Sequence, residues 1–106
     1  MERACFLLRI KPELIEEYKQ SHDPVWPELL EVMHEAGIRN YSMFLTESGL
    51  LIGYLEAADV QASLRRVGET AVSQRWQEQM AQYFEGGSGD VRGKGAEWAE
   101  QIFFME

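Results

Sequence analysis

Over residues 4–10 the chain leaves neither side polar: Ala4, Phe6, Leu8 and Ile10 fall on one face, Cys5 and Leu7 on the other. An apolar run of this length predicts a strand that needs cover on both faces. Pro12 suits a first helical turn, and Leu14, Ile15 and Tyr18 at helical spacing predict a helix over residues 13–21. Asp23 and Pro24 then read as the N-cap and first position of a second helix, with Trp26, Leu29, Leu30 and Met33 as its apolar stripe and Gly37 as its end. Residues 38–45 and 50–56 predict two strands joined as a hairpin through Glu47, Ser48 and Gly49. A third helix is capped by Asp59 and broken at Gly68. A longer one over residues 70–84 carries Val72, Trp76, Met80 and Tyr83 on one face. Residues 85–95 hold Gly86, Gly87, Gly89, Gly93 and Gly95, more than half of the chain's 9 glycines, which predicts a mobile loop. Residues 98–105 close the chain as a fourth strand.

The order of strand, helices, hairpin, helices and strand predicts an α+β fold of the ferredoxin-like kind, with helices on one face of an antiparallel sheet. The third strand sets Leu51 and Leu55 opposite Leu50, Ile52 and Tyr54, and the last sets Ile102 and Phe104 opposite Phe103 and Met105. A sheet whose second face met water would alternate apolar with polar. The expected remedy is a homodimer packed sheet against sheet, a dimeric α+β barrel with an interior able to hold a small ligand. At 106 residues the chain is one domain, 1–106, too small to enclose a deep cavity without help from a partner subunit.

Charge narrows the partners. The chain carries 18 Asp and Glu against 10 Lys and Arg, a net charge of -8, so it lacks the clustered cations that displace counterions from nucleic acid. The pair Arg65-Arg66 reads as a solvated helix face. No apolar run is long enough to span a bilayer, and Arg9 followed by Lys11-Pro12 interrupts the first strand too early for a signal peptide. A single cysteine, Cys5, read as a small core residue, points to a reducing compartment and a cytoplasmic protein.

Tyr18 and His22 are four apart, so on a helix reaching that far they project from one face at the break made by Asp23-Pro24. On spacing alone two readings stand: a phenol and imidazole pair for proton transfer, or a histidine that bonds the backbone at the helix junction. Trp26 and Trp76 read as core residues by their stripes, with Trp76 also able to serve as a ligand platform. Asn40, Tyr41 and Ser42 are polar where the other strands are greasy, which points to a polar pocket on that face. His34 reads as solvated or capping. Two histidines and one distant cysteine make no zinc site, and the glycine-rich loop lacks the lysine and serine spacing of a phosphate loop. No nucleophile elbow and no cofactor fingerprint is present, so neither metal nor cofactor is expected.

Ala4-Cys5-Phe6, the Tyr18 to Glu28 segment with its Trp26-Pro27-Glu28, Gly37 before Asn40-Tyr41-Ser42, Gln74-Arg75-Trp76 and Gln101-Ile102-Phe103-Phe104 together resemble the L-rhamnose mutarotase family over nearly the whole chain. The resemblance implies a dimeric α+β barrel that interconverts the α and β anomers of L-rhamnose or a related 6-deoxyhexose, without metal or cofactor. It assigns His22 as proton donor and Tyr18, Tyr41, Trp76 and the position of Gln77 as sugar contacts. The family commonly has a second tryptophan where this chain has Gln77, a departure that bears on the preferred sugar. Asn40 or Ser42 would add hydroxyl contacts. Two other readings share this fold: a dimeric-barrel monooxygenase or haem-degrading enzyme, and a non-catalytic sugar-binding module.

Overall fold

A computed structural model describes residues 1–106. Its strands are β1 (Glu2–Arg9), β2 (Arg39–Leu45), β3 (Leu50–Ala57) and β4 (Glu97–Ala99). Its helices are α1 (Ile15–Ser21), α2 (Pro27–Glu35), α3 (Val60–Gly68) and α4 (Ala71–Met80), with 3-10 turns at Pro12–Leu14 and Ala81–Tyr83. The strands form one antiparallel sheet in the order β2-β3-β1-β4, the ferredoxin-like arrangement expected from the chain.

Alternation along the strands decides which residues meet the helices. Phe6 and Leu8 of the first strand, Ile10 just after it, and Leu51, Leu55 and Ala57 of the third are buried beneath them. Tyr18, Leu29, Val60, Leu64, Val67, Val72, Trp76 and Met80 close the core from the helix side. The other face bears Leu7, Ile52 and Tyr54, all half-buried, and Phe44, 62 % exposed. Cys5 lies on that open face rather than in the core, because it falls in the odd register of β1. Gly53 sits where a Cβ would come within 2.1 Å of the Phe6 ring, so the pairing of β3 with β1 leaves room there for hydrogen only.

Local signals set α3 and α4. The Asp59 side chain accepts from the Ala62 amide at 3.1 Å, and the Thr70 hydroxyl from the Ser73 amide at 3.3 Å, each satisfying a free N–H of the first turn. The second helix begins later than its sequence suggests. Pro27, not Pro24, holds its first position, and Asp23 makes no cap. Trp26 precedes a proline and is therefore held extended, at φ -55° and ψ 126°, which keeps residues 23–26 out of the helix.

The last strand is also shorter than expected. Ala99, Trp98 and Glu97 pair with Cys5, Phe6 and Leu7, and in that register residues past 102 would run beyond the start of β1. Residues 100–106 leave the sheet, with Ile102 89 % and Phe103 78 % exposed and the Arg3 guanidinium 3.6 Å above the Phe104 ring.

Candidate active site

A cavity of 690 Å³ lies between the sheet and the helices of a single protomer. A four-stranded sheet with four helices on one face leaves that room because Tyr41 and Met43 of the second strand carry the wall beyond the core. Tyr18, His22, Tyr41, Trp76 and Gln77, the five residues singled out from the sequence, all line it.

His22 is placed by the end of α1. It follows Ser21 at the C-cap, where its amide bonds the carbonyls of Lys19 and Gln20, and Pro24 bars a further turn. The four-residue spacing brings its ring 4.5 Å from that of Tyr18, centre to centre, and the Trp76 ring meets it edge-on at 5.2 Å. Trp26 stands perpendicular to Trp76 at 5.1 Å. Tyr18 is held in turn by the edges of Tyr83 and Phe84.

His22 bonds the backbone at the helix junction, as one of its two readings expects. Its Nδ1 lies 3.1 Å from the Tyr18 carbonyl and 2.9 Å from the Ser21 hydroxyl, which itself donates to the same carbonyl at 2.5 Å. A carbonyl only accepts, so Nδ1 carries the hydrogen. In the neutral ring Nε2 is then a free acceptor. Burial lowers the imidazole below its ordinary 6.5, against the opposing pull of the Tyr18 carbonyl, so the neutral form dominates at pH 7.

The phenols go the other way. Burial raises Tyr18 well above the ordinary range, with the nearby Tyr41 adding to it, and burial pushes Tyr41 up to about 12. Both stay protonated donors through neutral pH. Neither hydroxyl has a partner in the chain, and no buried polar side-chain atom is left unsatisfied, so both open onto accessible space.

Asn40 and Ser42 do not join the site. Alternation along β2 puts them on the face opposite Tyr41 and Met43, where the Asn40 amide donates to Glu56 at 2.9 Å and Ser42 pairs with Tyr54. The glycine-rich loop does. Ser88, Gly89, Asp90, Val91 and Arg92 line the cavity, and Trp98 Nε1 donates to the Val91 carbonyl at 3.1 Å, tying the loop to the sheet. Sequence reasoning missed these residues because their signal is turn chemistry, which says where the chain bends and not what it bends over. His34 is exposed near the end of α2, and its carbonyl accepts from Arg39. No group of three or more His, Cys, Asp or Glu is arranged to hold a metal ion, and no helix is long and apolar enough to cross a membrane.

Fold and cavity together define a ferredoxin-like α+β protein with an imidazole, two phenols and an indole on a cavity under its helices. Solved structures share that frame: the L-rhamnose mutarotase of Formosa agariphila aligns over 100 % of both chains with a TM-score of 0.81 at 22 % identity. An antibiotic biosynthesis monooxygenase covers 96 % of this chain and 99 % of its own with a TM-score of 0.63 at 17 % identity, so the fold alone does not choose between isomerase and oxygenase. Sequence does choose. The L-rhamnose mutarotase family model matches residues 3–105. The L-rhamnose mutarotase of Bacillus subtilis is 40 % identical over 76 % of this chain and 78 % of its own, and that of Pectobacterium carotovorum 32 % identical over 100 % of both. The chain belongs to the L-rhamnose mutarotase family.

Proposed function

We propose that this chain is an aldose mutarotase, an isomerase that interconverts the α and β anomers of L-rhamnose or a related 6-deoxyhexose. The observation that carries the reading is the convergence of His22, Tyr18, Tyr41 and Trp76 on one sugar-sized cavity, in a member of that family.

Anomer exchange moves the hydroxyl proton of C1 to the ring oxygen, and both oxygens are bonded to C1. One imidazole nitrogen can therefore serve both. Neutral His22 accepts the O1 proton at Nε2 as the C1–O5 bond breaks and C1=O1 forms, then donates that proton to O5. The open aldehyde rotates about C1–C2, and the reverse steps close the ring on the other face. His22 ends neutral, as it began. The protonated phenols of Tyr18 and Tyr41 donate hydrogen bonds that stabilise negative charge on oxygen as the ring opens. Trp76 offers its face to the sugar's C–H groups.

This cycle needs the neutral imidazole, so activity follows its deprotonated fraction. The kcat/KM for anomer exchange is expected to rise with pH through a value below 6.5 and then to stay flat up to the tyrosine range. A rate that falls from pH 5 to 8 would mean that the imidazolium is the starting form. Saturation-transfer NMR tests the function itself: the protein should accelerate exchange between the anomeric protons of L-rhamnose, and bound sugar without faster exchange would leave a binding module.

The open face supports a homodimer. Phe44 on that face, with Ile102, Phe103 and Met105 in the tail, is exposed beside the half-buried Leu7 and Ile52, apolar surface that a second copy would cover. Light scattering is expected to give twice the chain's 12.2 kDa, and Phe44→Asp to shift it toward monomer; a monomeric wild type at micromolar concentration contradicts the pairing. The lone cysteine fits a reducing compartment, and the cytoplasm is the place we assign.

A further inference from the structure

We infer that Ser21 is a positioning residue of this site: its hydroxyl oxygen keeps the His22 hydrogen on Nδ1 and so leaves Nε2 free as the base, a role that rests on the mutarotase reading. Three contacts fix the serine. Its hydroxyl lies 2.5 Å from the Tyr18 carbonyl, 2.9 Å from His22 Nδ1 and 3.5 Å from the sulfur of Met80. The Tyr18 carbonyl is open to side chains because the end of α1 tightens: the His22 amide bonds Lys19 and the Asp23 amide bonds Gln20, and neither takes it. A hydroxyl has one hydrogen to give. A carbonyl is a strong acceptor and a thioether a weak one, so that hydrogen goes to Tyr18, and the lone pairs of Oγ face His22 as acceptors. Met80, 6 % exposed and one turn along α4 from Trp76, seats the serine against the core.

The Nδ1 hydrogen thus has two acceptors within reach, one on the main chain and one on the neighbouring side chain. A free imidazole side chain in water favours its hydrogen on Nε2, so the productive tautomer has to be held. The other tautomer would set the Nδ1 lone pair against a carbonyl and against a hydroxyl whose hydrogen is engaged elsewhere. The carbonyl alone gives one direction; with the serine, two points set the plane of the ring. The serine acts most strongly in the middle of the cycle. When Nε2 holds the sugar's O1 proton the ring is charged, and hydrogen bonds from a charged donor are about twice as strong as from a neutral one. The side chains of Tyr18, Tyr41, Glu78, Asp90 and Arg92, the other ionisable groups on the cavity, form neither hydrogen bond nor ion pair with the ring.

Ser21→Ala tests the assignment, and alanine is the better helix former, so the variant should fold. In saturation-transfer exchange with L-rhamnose, kcat should fall about tenfold with KM unchanged, as for the loss of a hydrogen bond from a charged group. The acid limb of kcat/KM should move to lower pH, because the imidazolium loses more than the neutral ring does. The direction discriminates. A serine that only filled space would, once removed, admit water to the ring, relieve the burial that depresses it, and move the limb up toward 6.5. In nitrogen NMR of the sugar-free protein, wild-type His22 should carry its hydrogen on Nδ1, and the variant should share it between the two nitrogens. A limb that stays in place or moves up, a KM that rises with kcat unchanged, or a variant ring still protonated on Nδ1 alone overturns the inference. A wild-type protein that exchanges no sugar is a separate result: it sinks the mutarotase reading, while the nitrogen spectrum still shows whether Ser21 holds the ring.

Discussion

Replacing His22 with alanine should leave the fold intact and lower kcat/KM for anomer exchange by about 10² to 10⁴, the range that a positioned acid-base group supplies. The ring is half-buried at the cavity wall, and its hydrogen bonds go to one local carbonyl and one serine hydroxyl, so its removal costs the core little. Burial keeps Tyr18 and Tyr41 protonated, which denies them the role of base. Added imidazole should restore part of the lost rate by entering the vacated space. A His22→Ala protein with wild-type exchange would remove the imidazole from the mechanism.

Trp76→Ala should cost stability as well as binding. The indole is 8 % exposed and packs against the rings of His22 and Trp26. Truncating a buried tryptophan typically destabilises by about 3 to 5 kcal/mol. At about 4 °C or more per kcal/mol for a domain of this size, the melting temperature should fall by at least about 12 °C. Where the variant remains folded, KM for the sugar should rise by a larger factor than kcat falls, because the indole holds the sugar and moves no proton. An unchanged melting temperature would mean that Trp76 belongs to a loose wall rather than to the core.

The parts of this site that could be read in the sequence are those fixed over one or two turns of chain. Tyr18 and His22 meet because residues four apart share a helix face, and Asp59 and Thr70 cap their helices with amides three residues on. The unpaired second face of the sheet was equally visible, since apolar residues at both parities of β1 and β3 leave no solvent side. Where two local signals competed, the reading failed. Asp23-Pro24 and Trp26-Pro27 both look like helix starts, and the second wins because the residue before a proline stays extended. The fourth strand is shorter than its apolar residues suggest, because they imply burial without saying against which chain. Asn40 and Ser42 look like ligand contacts because they flank Tyr41, but strand alternation sends neighbours of a cavity residue to the opposite face. The cavity itself was out of reach. Its position depends on the spacing of the helix layer from the sheet, and on a glycine-rich loop whose turns conceal that Asp90 and Arg92 close one wall.

A crystal structure with bound L-rhamnose tests the account most directly. One sugar is expected under the helices of each protomer, its ring oxygen within about 2.6 to 3.2 Å of His22 Nε2 and Nδ1 still bonded to the Tyr18 carbonyl. A sugar lodged between the two sheets, or lying in the cavity with Nε2 turned away from it, would contradict the account.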